Sequence, residues 1–154
     1  MKSIFENLFN KIKNRLTEIF NSELTAKQIA VNFTVGILIG LLIPIGLQTI
    51  GVILLCSIFK LNFFIVVFAT LITNPFTVVF IYYSAFKLGD LIVNSGISWS
   101  AIEKVINNPE FDSIFNLSLD TLLVIYTGLS IESIVFGSLT YFLVYYIAKS
   151  IKSV

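Results

Sequence analysis

Residues 41–49 read LLIPIGLQT, and they fall inside a stretch, 28–59, in which none of the 32 residues is charged. As one α-helix, 32 residues would be about 48 Å long at about 1.5 Å per residue, against roughly 30 Å of membrane hydrocarbon. Pro44 removes a donor that a helix interior needs, and with Gly46 it divides the run into two arms. Each arm is shorter than the usual transmembrane length of about 20 residues, so the pattern predicts a tight helical hairpin instead of one straight span.

The design recurs downstream. Residues 61–86 form a second charge-free stretch, flanked by Lys60 and Lys87 and divided near its middle at Asn74-Pro75, within ATLITNPFTVVF at 69–80. Two readings fit it. A re-entrant hairpin would return Lys60 and Lys87 to one side, whereas a single kinked span would place them on opposite sides; the repetition favours the hairpin.

Composition agrees with a bilayer setting. Of 154 residues, 56% are hydrophobic and 12% charged, with fifteen Phe and six Tyr, and the mean hydropathy is +0.94. That lies far from the average of soluble domains. A formal net charge of +1 gives no field to recruit nucleic acid, so no nucleic-acid partner is expected. There is no histidine, which removes imidazole metal sites and Ser-His-Asp or Cys-His nucleophile systems. No metal, no cofactor and no catalytic residue are expected, and the chain does not read as an enzyme. The single cysteine, Cys56, reads as a small buried residue.

Working outward, residues 1–22 carry Ile4, Phe5, Leu8, Phe9, Ile12, Leu16, Ile19 and Phe20 on one helical stripe, opposite Lys2, Lys11, Lys13 and Arg15. This predicts an amphipathic interfacial helix on an anionic membrane surface, with packing on the rest of the protein as the alternative. Its interspersed charges do not suit the apolar core of a cleavable signal peptide. Thr25 and Gln28 form a capping box, with Leu24 placed to staple onto Ile29, so a helix begins near Ala26. Residues 25–93 then make a membrane domain of two broken hairpins. Residues 94–112 are a polar connector, with Trp99 at an interface and a second capping box at Ser100 and Glu103 opening a short surface helix. Residues 113–154 hold two apolar segments separated by Thr127-Gly128-Leu129-Ser130, which reads as a turn, predicting a C-terminal transmembrane hairpin with Glu132 in its solvated turn. Asp120 reads either as an ion or proton site or as a residue at the membrane edge. Lys87 and Asp90, three apart, are placed to pair. The fold class is thus an all-α integral membrane protein.

The chemistry concentrates at the breaks. Asn74 occupies an N-cap position with Pro75 at the first helical position, so free amides point into the break and favour an anionic group. Thr70, Thr73 and Thr77 add hydroxyls, and Gln48 and Thr49 beside Gly46 would join them if the two hairpins meet. The same side chains serve equally to satisfy backbone groups freed by the prolines. Gly36 and Gly40 have the small-xxx-small spacing that admits a closely packed helix or a second copy of the chain.

This order of features resembles the bacterial membrane family known as domain of unknown function 2062. The likeness covers about 25–93: Gly36 and Gly40, Pro44, Gly46, Gln48-Thr49, Lys60-Leu61-Asn62, Thr70, Asn74-Pro75, Thr77, and Tyr83 ahead of Lys87-Leu88-Gly89. The family's usual Ser-Pro at the first helix start is Thr25-Ala26 here. The resemblance implies residence in the bacterial cytoplasmic membrane, and some relatives are joined to glycosyltransferase-like domains, which implies work near lipid-linked sugars. The basic N-terminus and Tyr145, Tyr146, Lys149 and Lys152 place both termini on the cytoplasmic side. Two functions are carried forward. One is a transporter- or translocase-like module binding an anionic group, such as a lipid phosphate, at the paired breaks; the other is a non-transporting scaffold for lipid-glycan enzymes or a homo-oligomer.

Overall fold

The computed structural model describes residues 23–100 and 119–153, together with positions 10, 14, 17–19 and 103. Most of the amphipathic segment 1–22 and most of the connector after Ser100 therefore lie outside the described residues. Among the described residues all regular structure is helical: α1 (Ala26–Leu42), α2 (Gln48–Phe59), α3 (Phe63–Thr70), α4 (Val78–Val93) and α5 (Leu119–Lys152).

Helix α1 starts as its sequence dictates. Thr25 Oγ1 accepts from the Gln28 amide at 3.2 Å, and Gln28 Oε1 accepts from the Thr25 amide at 2.8 Å. Both orphan donors are thereby satisfied. Leu24 packs onto a cluster containing Ile29, Ala30, Val144 and Ala148. The helix ends before Pro44, and the chain reverses at Gly46, whose φ of +98° is a conformation that glycine adopts without strain. Helix α2 then runs back along α1 and stops at Lys60, which takes left-handed φ and ψ of 52° and 44° and donates its amide to Cys56 O. Asn62 opens α3 by accepting from the Ile65 amide at 3.2 Å. Its own amide donates to Oδ1 of the buried Asn32, which pins this turn to α1.

The direction of the second broken run follows from helix register. Asn62 meets Asn32, a Cβ at Gly36 would touch Val66 and Ala69, and one at Gly40 would touch Thr70, Ile72 and Thr73. Residue numbers rise together, so α3 is parallel to α1. Along α5 they run oppositely. Ile29 and Ala30 share a cluster with Val144 and Ala148, Thr34 and Leu38 face Gly137, Ser84 meets Glu132, and Ala85 and Gly89 face Gly128 and Val124. Helices α1 and α4 therefore follow one another along α5 in the same sense, and α3 and α4 run in one direction through the break at 71–77.

In place of the expected second hairpin, the second broken run is a kinked one whose two helices share a direction. The reason is local. Among the described residues positive φ occurs only at Gly46, Lys60, Asn94 and Gly96, so the second break lacks the positive-φ residue that accompanies the reversal at the first. It is instead a run of tight right-handed turns, with Leu71, Ile72, Thr73 and Thr77 amides each bonded three residues back.

A second correction concerns the C-terminal hairpin. Residues 119–152 form one helix of 34 residues, about 51 Å long at about 1.5 Å per residue, with no turn at 127–130. Gly128 is helical, and its missing side chain serves packing: a Cβ there would lie 1.7 Å from Ala85 O. Helix α5 is long and apolar enough to cross a membrane, whereas α1 and α2 are apolar but shorter.

The buried core lies where α1 meets α3 and α5 and where α4 meets α5. Much of what surrounds it is apolar as well. Phe64, Phe76, Phe80, Leu91, Leu119 and Ile134 all stand in the open, Phe76 at 86% exposure.

Candidate functional site

The two breaks meet. A helix would bond the amide of residue 44 to Gly40 O, and Pro44 has none to give. Two side chains replace it: Gln48 Nε2 donates to Gly40 O at 3.0 Å and Thr73 Oγ1 donates to the same oxygen at 2.6 Å. Gln48 Nε2 also reaches Ile43 O at 3.1 Å and Thr73 Oγ1 at 3.0 Å. The absence of a Cβ at Gly40 permits this approach, since one would stand 3.2 Å from Thr73 Oγ1 and 3.0 Å from Thr70 O. Thr73 is buried.

The second proline is answered in the same way. Pro75 cannot donate to Leu71 O, and Asn74 Nδ2 does so at 3.0 Å. Asn74 Oδ1 meanwhile accepts from the Phe76 amide at 2.9 Å and the Thr77 amide at 3.2 Å. Thr77 Oγ1 donates to Ile72 O and accepts from the Asn74 amide at 3.0 Å. The amides at this helix start, expected to face a ligand, are capped by Asn74 itself.

Of the six candidate binding residues, Gln48 and Thr73 form the joint between the breaks, while Asn74 and Thr77 close the second break on itself. Thr70 is buried and returns its hydroxyl to Val67 O at 2.7 Å within its own helix. Thr49 is exposed. Gly36 and Gly40 are both buried against α3, which leaves neither to a second chain.

One polar site lay outside the sequence expectation. Glu132, read as part of a solvated turn, is 4% exposed and sits on the α4–α5 contact. Ser84 Oγ donates to its Oε1, while its Oε2 and the hydroxyl of the adjacent, buried Ser133 have no hydrogen-bond partner among the described residues. The signal that could have found it is the spacing Val124, Gly128, Glu132, which sets the carboxyl on the same stripe as the packing glycine. Asp120, by contrast, is exposed in the first turn of α5, where a helix N-terminus favours a carboxylate.

Lys87 and Asp90 do not pair. Asp90 Oδ1 accepts from the amide and hydroxyl of Ser95, at 3.1 and 2.8 Å, and Lys87 Nζ lies 5.7 Å from the centre of the Tyr83 ring. Trp99 packs edge-on to Tyr83 at 5.1 Å between ring centres. Cys56 is buried and unbonded. Among the described residues no three His, Cys, Asp or Glu side chains gather as a metal ligand set.

These features define a class: an all-helical protein of proline-broken apolar helices, with side-chain amides restoring what the prolines remove. The chain belongs to the family described as uncharacterized protein conserved in bacteria (DUF2062), which it matches over residues 10–153. The match extends well past the 25–93 stretch that carries the motifs, to the end of α5. No curated protein and no solved structure matches the chain.

Proposed function

We propose that this chain is a small polytopic protein of the bacterial cytoplasmic membrane with a transporter- or translocase-like role, binding an anionic group such as a lipid phosphate where its two broken runs meet. Membrane residence is supported by the apolar residues that remain in the open on α2, α3, α4 and α5, far more than a soluble monomer leaves uncovered. It is supported also by aromatic residues at two levels of α5. Tyr126 lies on the end that carries Trp99, Tyr82 and Tyr83, and Tyr145 stacks on Tyr141 at the other. Nineteen residues separate Tyr126 from Tyr145, about 28 Å along a helix, which matches a hydrocarbon layer of roughly 30 Å.

In this arrangement the α1–α2 hairpin enters and returns on the side of the termini, α3–α4 crosses, residues 94–100 lie on the far side, and α5 crosses back. Lys27, Lys60, Lys149 and Lys152 gather at one end, which the positive-inside rule assigns to the cytoplasm. Both termini are then cytoplasmic.

The observation that carries the binding reading is the joint itself: Gln48 and Thr73 tie two separate runs at one backbone oxygen, Gly40 O. Asn74 Oδ1 sits on two amides where an anionic oxygen would be held equally well. The test uses the full chain in nanodiscs containing phosphatidate and phosphatidylcholine, with retained lipid read by native mass spectrometry. Wild type should retain phosphatidate selectively, and Asn74→Asp should lose that preference, because its carboxylate caps the same amides while repelling an anion. Equal retention of both lipids by wild type overturns the reading.

A second reading, a non-transporting scaffold for lipid-glycan enzymes or for a second copy, is favoured by one fact: the donors at both breaks already have partners within the chain. It requires an interaction face other than Gly36 and Gly40. A co-purifying partner whose capture survives Asn74→Asp would support it.

A further inference from the structure

We infer that Glu132 is a reversible proton-binding site in the α4–α5 contact, with Oε2 as the atom that carries the proton. The inference rests on the membrane reading above and is independent of the anion site. Four observations carry it. The side chain is 96% buried, by its 4% exposure. Among the described residues its one hydrogen-bond partner is Ser84, a neutral donor, and Oε2 has none. It lies six residues below Tyr126, about 9 Å along the helix and so inside the hydrocarbon level. The contact around it is also built for close approach, since a Cβ at Gly89 would stand 1.8 Å from Val124 O, the counterpart of Gly128 against Ala85.

Among the described residues no counter-charge faces the carboxyl. Helix α1 carries one ionisable side chain, Lys27, in its first turn at the opposite end. Helix α4 carries Tyr82, Tyr83, Lys87 and Asp90, of which Lys87 is held over Tyr83 and Asp90 by Ser95. On α5 itself the neighbouring titratable group is Tyr126. A carboxylate without a counter-ion is expensive in hydrocarbon, and a carboxylic acid is not, so gain and loss of a proton is the change of state such a site supports. Ser84 Oγ is also within 3.0 Å of Phe80 O and Ile81 O. It can therefore turn its hydrogen from Glu132 to its own helix when the acid is neutral, which couples the proton to the α4–α5 contact.

Dicyclohexylcarbodiimide tests this directly, because it reacts with protonated acids in apolar surroundings. The acid proton passes to a carbodiimide nitrogen as the carboxyl oxygen bonds to the central carbon, and the adduct rearranges to a stable N-acylurea without loss of any atom. The full chain is treated in carbonate-washed membranes between about pH 5 and about pH 9, and the modified residue is located by mass spectrometry. Labelling is expected at Glu132 and not at Asp120, absent in Glu132→Gln, falling by about tenfold per pH unit above its midpoint, and indifferent to sodium. Absence of label at Glu132 in a chain that stays with the membrane overturns the site alone, as does labelling that is independent of pH. Suppression by sodium at fixed pH makes it a cation site and overturns the proton assignment. Release of the chain by carbonate overturns the membrane reading instead.

Discussion

Gly128→Ala should open the contact on which the α4–α5 pairing depends. The added Cβ would meet Ala85 O at 1.7 Å, Ala85 C at 2.4 Å and Ala85 Cα at 2.7 Å, where ordinary contact begins at 3.4 Å. All three atoms are backbone, so no side chain can rotate away, and the helices must part by about 1.7 Å along that line. A gap of about 1 Å already forfeits up to half of a dispersion contact, and the neighbouring cluster of Ala85, Phe86, Val124, Ile125 and Leu129 would open with it. We therefore expect a loss at the upper end of overpacking effects, about 3 kcal/mol. That is a fall of about 100-fold in the folded-to-unfolded ratio. The assay is reversible unfolding in mixed dodecylmaltoside and sodium dodecyl sulfate micelles, followed by circular dichroism. Gly51→Ala is the internal comparison, since its Cβ would clash only with Ile43 Cδ1, at 2.3 Å, the mobile end of a flexible side chain. It should cost less than about 1 kcal/mol. If Gly128→Ala is as stable as Gly51→Ala, α4 and α5 do not approach as described, and the register drawn from their contact fails.

Three further outcomes follow from the hydrogen bonds. Gln48→Ala removes the donor to Ile43 O and one of two to Gly40 O, and should cost about 1–2 kcal/mol in the same titration. Combined with Thr73→Ala in a double-mutant cycle it should show a coupling of about 0.6–1.7 kcal/mol, and strict additivity would deny that the two breaks touch. Asn74→Ala strips Leu71 O and two amides of their partner and should cost about 1–2 kcal/mol, whereas Asn74→Asp keeps the cap on the amides and should be the more stable of the two. Ser84→Ala removes the one hydrogen bond of Glu132 and should destabilise by about 1 kcal/mol, checked by the same unfolding curve.

Local chemistry was the legible part of the sequence. Thr25 and Gln28 announce the first helix because a capping box is complete within four residues. Pro44 and Pro75 announce the breaks because each deletes a donor wherever it stands. The sense of the chain after a break was harder to read, since both interruptions look alike in composition. What separates them is the backbone at the break: Ile43 is extended and Gly46 adopts positive φ where the chain turns back, whereas Asn74-Pro75 keeps tight turns and carries it forward.

Thr127-Gly128-Leu129-Ser130 misleads for a related reason. In water such residues mark turns, but within an apolar helix small residues mark the face that another helix approaches. Reading them as a turn also placed Glu132 in solvent, so the buried carboxyl was hidden by the same error. The convergence of Gln48 with Thr73 was anticipated only on the condition that the broken runs meet, because a contact across 25 residues leaves no trace in local periodicity.

Cysteine accessibility at the two ends of the second broken run tests whether that run crosses the membrane or returns. With Lys60→Cys and Lys87→Cys made singly in the cysteine-free Cys56→Ser background, intact cells are treated with a membrane-impermeant maleimide before and after permeabilisation. The cysteine at 87 should react from outside and the one at 60 only after permeabilisation, together with a tag at either terminus. Reaction of both positions from the same side would contradict the crossing, and would restore the second hairpin in place of the kinked span.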